Sequence, residues 1–509
     1  MDSQKPSRGA PDSRKSSDGA PATRPRAART PAATKATGAA KAGAAKAAAT
    51  TPATTVKGAT LTTGATRGPS TRGDGSGRAG PDAGTEPWPD RPPGWRGRAR
   101  NRDLYNRRAQ RAHERWPMVA RLMSGLLRRP EVVLTLLGAT EPVEREGRVL
   151  NPSVQALVGL VNRFDRTSGG TADGFDRTSG GTADGFDGAD GSPGTEVLDP
   201  LVVRRQLRRS ARAVMPVRTD VYVSARVIPG TEGAPPIGIR IYRQFGSGLG
   251  AGPAGRGRPA IVFFHGGGWV SGDLDSHDAL CRILTAASGC LVVAVGYRLA
   301  PEDPFPAAVD DALAAYTWVH QHSDDLGIAP GHIGVMGDSA GGNLAAVVAQ
   351  VTRAGAGPAR ALAPPPVAQG LVYPVLDTRL RSESLRSLAD GFLLTRTAME
   401  FYRNHYLPDP SDWEDPKASP LLAGDFGGLA PALVVTAGFD PMRDDGVDYA
   451  EALRQADVSV EHRRYDDQIH GFMVLGIVAD SLALATEVCE SMGRLMRRSA
   501  PTDPAIGAG

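Results

Sequence analysis

Between residues 218 and 466 the chain alternates two hydrophobic rhythms. AIVFFH (260–265), CLVVAVGY (290–297), HIGVMG (332–337), GLVYPVL (370–376) and ALVVTAGF (432–439) are continuous apolar runs of strand length. Between most of them lie stretches with helical spacing, such as DDALAAYTWVHQH (310–322). Apolar strands alternating with helices predict a mostly parallel sheet covered on both faces. RTDVYVSARVI (218–228) and IGIRIYRQF (237–245) instead alternate apolar and polar positions, the pattern of exposed antiparallel edge strands. The Gly-, Pro- and Arg-rich stretch 246–259 after them reads as a loose hairpin tip, and VSVEHRRYD (458–466) is the last strand candidate.

Upstream the pattern is helical. Arg, Ala and Leu recur at helical spacing from about 96 to 137, and NPSVQALVGLVNRF (151–164) and PLVVRRQLRRSARAV (200–214) continue it. FDRTSGGTADG at 164–174 is repeated unchanged at 175–185. A solenoid repeat needs an apolar face to stack, and each copy offers one Phe, so the stretch 164–190 reads as a loop lengthened by duplication. Residues 377–425 break the strand–helix rhythm with Ser, Asp, Pro and scattered aromatics, and are expected to form an inserted helical cap. Residues 1–95 are mostly Ala, Thr, Gly, Pro, Ser, Lys and Arg. Such a segment buries too little apolar surface to offset its chain entropy and is expected to be a disordered tail. The expected organisation is a tail (1–95), a helical N-terminal region carrying the duplicated loop (96–215), and an α/β domain (216–500) with the 377–425 insertion.

Charge separates the tail from the rest. Residues 1–100 carry 18 Lys and Arg against 7 Asp and Glu in a chain of net charge +4, so the folded part is acidic. The basic residues of the tail are diluted by Ala and Thr rather than blocked together. The reading is therefore a solvated tail, with no specific nucleic-acid partner expected. No run of 18 apolar residues and no apolar leader is visible, so a cytoplasmic protein without a membrane span is expected. The three cysteines, Cys281, Cys290 and Cys489, lack metal-ligand spacing, and packing roles are expected for them.

In an open α/β sheet, ligands bind beyond the carboxyl ends of the strands. The residues found there are His265 with Gly266–Gly268, Tyr297, Ser339, Asp440 and His470. Ser339 lies in GDSAG, between an apolar strand and the helical AGGNLAAVVAQV. This is the strand–turn–helix setting of a nucleophile elbow. A serine hydroxyl is a weak nucleophile and needs a base. His470, after the last strand and followed by Gly471, is the best of the nine histidines; Asp440, ending a buried strand, is the best group to orient it. The order Ser, Asp, His excludes a trypsin-like arrangement, which runs His, Asp, Ser. The loop HGGGW (265–269) supplies backbone N–H groups for a developing oxyanion. The donors expected are the amides of Gly266, Gly267 and Ala340, with His265 in a structural role. No G-K-[ST] follows the glycines, so a phosphate loop is unsupported.

HGGGW at 265, YRLAPE at 297, GDSAGG at 337, DPMRDDG at 440 and IHGF at 469, in this order, resemble the hormone-sensitive lipase-like family of α/β hydrolases. The likeness covers roughly 150–498. It implies an α/β-hydrolase fold with a helical cap, and a carboxylesterase or lipase acting on short- to medium-chain acyl esters through Ser339, Asp440 and His470. It implies a small acyl ester as substrate and needs no cofactor and no metal; a homodimer is the candidate assembly. Gly296, Met442, Asp445 and Asp467 depart from the family's usual Asp, Leu, Glu and Gly. The rival readings are a lactone or amide hydrolase and a non-catalytic small-molecule receptor on the same fold. Relatives of the receptor type are expected to have lost a triad member, and here all three are in place.

Overall fold

Strands that are apolar at every position must bury both faces, and a sheet lined by helices on each side is how this chain does it. The computed structural model describes residues 118–167, 199–218, 220–244, 257–353 and 363–500. The expected tail (1–95), the start of the first helical region and most of the duplicated loop lie outside the described residues. A two-residue turn joins β1 (Glu144–Arg145) to β2 (Arg148–Val149) in a small separate hairpin. The main sheet contains β3 (Val221–Ile228), β4 (Ile237–Gln244), β5 (Arg258–Phe264), β6 (Leu291–Gly296), β7 (Ile328–Asp338), β8 (Gln369–Val372), β9 (Ala432–Phe439) and β10 (Val460–Ile469). Its spatial order is β10-β9-β8-β7-β5-β6-β4-β3. Strands β5 to β10 run parallel, and β4 is antiparallel to both its neighbours, β6 and β3.

The two-residue side-chain period of a strand divides the core into two layers. Val262, Phe264, Val293, Val295 and Val335 face one side, with helices Ala307–Gln321, Ala340–Thr352 and Arg443–Gln455. Ile261, Phe263, Val292 and Met336 face the other, against helices Asp278–Ser288 and Ala479–Arg498. All three cysteines are buried and unpaired, and burial raises each thiol's pKa. They act as small core side chains.

Two sequence expectations change. Of these two strands only β3 lies at a sheet edge; β4 is buried along most of its length because β6 pairs on its far side. β4 and β5, which flank the stretch read as a hairpin tip, do not pair with each other: β6 lies between them. Residues 245–256 are outside the described set.

A third apolar cluster joins the N-terminal helices to the sheet edge. Leu127, Leu134, Val154 and Val158 pack with Phe439 at the end of β9 and Ile469 at the end of β10. The ring of Phe392, from the 377–425 segment, lies tilted against that of Phe439 at 5.1 Å. At this edge β10 departs from regular pairing. Tyr465 lies opposite Ala437 and Ile469 opposite Phe439, so residues 466–468 form a bulge. Bulges re-aim the strand end and often sit beside functional sites. Gly438 makes room for it: a Cβ there would lie 2.1 Å from the Asp466 carbonyl oxygen. Gly438→Ala is therefore expected to destabilise the fold by about 1–3 kcal/mol, read as a lower urea midpoint at unchanged m-value.

Candidate active site

Each candidate residue is the first after its strand. His265 follows β5, Tyr297 follows β6, Ser339 follows β7, Asp440 follows β9 and His470 follows β10. Parallel strands end at one edge, so five residues far apart in sequence converge there.

Ser339 sits on a turn with φ 55° and ψ −120°. A non-glycine residue in such a region costs on the order of 1–3 kcal/mol and persists only when its surroundings enforce it. The surroundings are two glycines in backbone contact. A Cβ on Gly337 would lie 2.1 Å from the Gly341 carbonyl oxygen, and one on Gly341 would lie 2.0 Å from that of Phe264. The Ser339 amide donates to Val372 O at 2.9 Å, tying the turn to β8. The helix that follows directs its N-terminal amides toward the site.

His470 reaches both partners. Its Nε2 is 2.9 Å from Ser339 Oγ, and its Nδ1 is 2.9 Å from Asp440 Oδ2. Asp440 is fully buried, and its Oδ1 accepts from the Met442 amide at 2.8 Å. With Nδ1 donating to the carboxylate, Nε2 is left to accept the serine proton. Gly471 makes the bend after the histidine, with φ 77°.

The glycine loop differs from expectation at one residue. The Gly266 amide donates to Asp338 Oδ1 at 2.9 Å, so it is already committed and is not a free donor for substrate. Among the described residues the amides of Gly267 and Gly268 donate to no protein acceptor. Gly268 lies flat on Tyr402, whose ring a Cβ would meet at 2.2 Å. Trp269 stacks on Tyr406 at 4.5 Å. The aromatics of helix Arg396–Tyr406 thus support the glycine loop; Tyr402 and Tyr406 are buried. From the N-terminal side, Arg204 donates to Val270 O and Ala300 O and pairs with Glu302.

Beneath the elbow lies a cluster of buried polar groups. Asp338 also faces His277 Nε2 at 3.4 Å, and the His277 ring is 5.5 Å from that of His265. Burial alone would raise the Asp338 pKa, but the two histidines and the Gly266 amide outweigh it and hold the carboxyl below its usual range. Burial, with His277 adding, pushes the His265 pKa down to about 4. The neutral ring donates from Nδ1 to Gly266 O at 2.9 Å, while Tyr297 stacks on it and donates to His265 O at 2.7 Å. The structural role expected of His265 agrees with these bonds. His277 was not among the sequence candidates. It lies in a loop, in SHD, and no local pattern links it to Asp338, 61 residues away.

Residues 261–474 match a family described as the α/β hydrolase fold. The chain is similar to the carboxylic ester hydrolase LipN of Mycobacterium tuberculosis, 45% identical over 288 residues, which are 56% of this chain and 73% of that protein. The chain belongs to the hormone-sensitive lipase-like family of α/β hydrolases.

Several of its relatives are named as esterases or ester hydrolases. It is 42% identical to the ethyl acetate hydrolase of Pseudomonas putida over 221 residues, 43% of this chain and 68% of that one. Among solved structures, it resembles an ester hydrolase from the metagenome of Lake Arreo, complexed with a bipyridine phosphonate derivative. The TM-score is 0.58 at 32% identity, covering 68% of this chain and 98% of that one. The family assignment makes the protein a carboxylic ester hydrolase. Among the described residues no helix is long and apolar enough to cross a membrane.

Asp445, where the family usually has Glu, lies buried behind Asp440 and accepts from the amides of Leu376 and Asp377 at 2.9 and 3.0 Å. Burial pushes its carboxyl up to about 8, with Asp377 and Asp440 adding to the rise and the two amides opposing it. The folded chain therefore holds this proton at pH values where the unfolded chain, near the ordinary 3.8, has released it. The contribution of this group to stability falls as pH rises from about 4 toward 8. Asp445→Asn keeps an acceptor for both amides and removes the titration. Its melting temperature relative to the parent is expected to increase from pH 5 to pH 8, measured by differential scanning fluorimetry.

Proposed function

We propose that the protein is a serine carboxylesterase that hydrolyses short- to medium-chain acyl esters through an acyl-enzyme. The observation that carries this reading is the pair of 2.9 Å contacts from His470, to Ser339 Oγ and to Asp440 Oδ2. Ser339 Oγ attacks the ester carbonyl carbon while His470 Nε2 takes its proton. Asp440 holds the imidazole in the tautomer that can accept it and stabilises the imidazolium. The oxyanion accepts from the amides of Gly267, Gly268 and Ala340; Gly268 replaces Gly266, whose amide Asp338 occupies. Each such donor is worth about 2.7–4 kcal/mol in the transition state. Collapse of the tetrahedral intermediate breaks the bond to the alkoxy oxygen, which leaves as the alcohol with the proton from His470. Water, deprotonated by the same imidazole, then attacks the acyl-enzyme and frees the acid and Ser339.

The name of the Pseudomonas putida relative, an ethyl acetate hydrolase, supports a preference for small acyl groups. A panel of p-nitrophenyl esters from acetate to palmitate tests the reading. Activity is expected to be greatest at the short and medium chains and to fall about 10⁴-fold or more in Ser339→Ala and about 10⁴-fold in Asp440→Asn. Turnover retained in Ser339→Ala overturns the mechanism. Greater activity toward a lactone or amide panel transfers the assignment to that bond.

A further inference from the structure

The sheet delivers Asp440 and His470 on two loops, but it closes neither of them. The bulge at 466–468 leaves the ladder beside β9, and a backbone carbonyl released from a ladder needs another donor. Asn151 provides it from the N-terminal region. Its amide donates to Asp467 O at 2.9 Å. Its side-chain Nδ2 is 3.3 Å from Asp467 Oδ2 and 3.3 Å from Asp480 Oδ2. The Oδ1 of the same side chain accepts from the amides of Ser153 and Val154, capping helix Pro152–Thr167. One residue thus starts an N-terminal helix and holds the chain three residues before His470.

The other loop is held by the adjacent hairpin. Glu146 and Gly147 form the turn between β1 and β2, with φ 51° and 72°. Turns of this kind favour Asn-Gly, and a glutamate in the left-handed region is disfavoured. The Glu146 carboxylate is bound on three sides. Oε2 accepts from Arg443 Nη1 at 2.7 Å and from Arg148 Nη1 at 2.8 Å, and Oε1 accepts from Ser387 Oγ at 2.7 Å. Arg443 follows Asp440 by three residues and also donates to Gly438 O at 3.3 Å. Arg148 Nε donates to Asp466 Oδ1 at 3.3 Å, within the bulge.

We propose that residues 144–151 form a clamp that sets the separation of the Asp440 and His470 loops, with Glu146, Asn151 and Asp467 as positioning residues for the triad. The proposal rests on the catalytic reading above. Asp467 is one of the positions where the sequence departs from the family's usual glycine. A glycine there would offer Asn151 no carboxylate, so the side-chain half of this tie belongs to this chain. A small displacement of a catalytic base has large kinetic consequences, so a linkage of ordinary hydrogen bonds can matter to rate.

Asn151→Asp tests the clamp because aspartate caps a helix as well as asparagine does. The helix start is preserved, while the amide donor shared by Asp467 and Asp480 becomes a like charge facing both. Asp467→Asn in the same chain re-forms the 151–467 pair in the opposite sense and leaves the contact to Asp480 unrestored, so recovery is partial. The first readout is kcat and KM on p-nitrophenyl butyrate. The second, independent of activity, is hydrogen exchange of the amides at 466–471. Asn151→Asp is expected to lower kcat about 5- to 20-fold with KM within about twofold, and to speed exchange about tenfold at an unchanged melting temperature. The double variant is expected to recover at least threefold in kcat and to slow exchange again. Unchanged exchange in Asn151→Asp overturns the clamp whatever the activity, and so does failure of the double variant to recover. If the parent hydrolyses no ester, the catalytic reading fails, and the exchange experiment still decides the clamp.

Discussion

The site depends on one steric constraint: three backbone segments pass too closely at Ser339 for any Cβ to fit between them. Gly341 lies against the Phe264 carbonyl and Gly337 against that of Gly341. That contact brings the end of β5, the end of β7 and the start of helix Ala340–Thr352 to one point. It also forces Ser339 into its strained conformation, with the side chain raised above the turn. Because β5 ends at the same place, the glycine loop that leaves it begins beside the serine. The proposed nucleophile and the proposed oxyanion donors are set by the same packing.

A second layer of constraint is electrostatic. Asp338, buried beside Ser339, binds the Gly266 amide and faces His277. The glycine loop is thereby pinned from beneath by a carboxylate, through an amide that is then lost to substrate. From above it rests on Tyr402 and stacks through Trp269 on Tyr406. A loop rich in glycine loses much conformational entropy on ordering. The buried contacts on both sides offset that loss and leave the amides of Gly267 and Gly268 held for the oxyanion role proposed for them.

Much of this was legible in the chain itself. The five apolar runs contain strands; His265, Tyr297, Ser339 and Asp440 stand just after four of those strands, and His470 just after the last strand, β10. A continuous apolar run has to be buried on both faces, and in a parallel sheet all such runs end at one edge. That Ser339, Asp440 and His470 come together could therefore be read from order and position. Gly266 could not be judged that way, because all three glycines of the loop look alike until Asp338 takes one amide. His277 gave no local signal, since its partner is 61 residues away. The alternating pattern of β4 was misleading as a mark of an edge, because β6 covers it through a pairing distant in sequence.

The sequence by itself determined the local conformations: which segments are strands or helices, where the chain must turn on glycine, and which side chains stand at strand ends. These follow from backbone sterics and hydrophobic period, which act over a few residues. Only the tertiary structure decided which amides remain free, which buried carboxylate is paired, and that an N-terminal hairpin lies across the loops of Asp440 and His470. Those outcomes depend on hydrogen bonds between segments up to 329 residues apart. Such partners are selected by packing in three dimensions, and no short window of sequence contains both members of a pair.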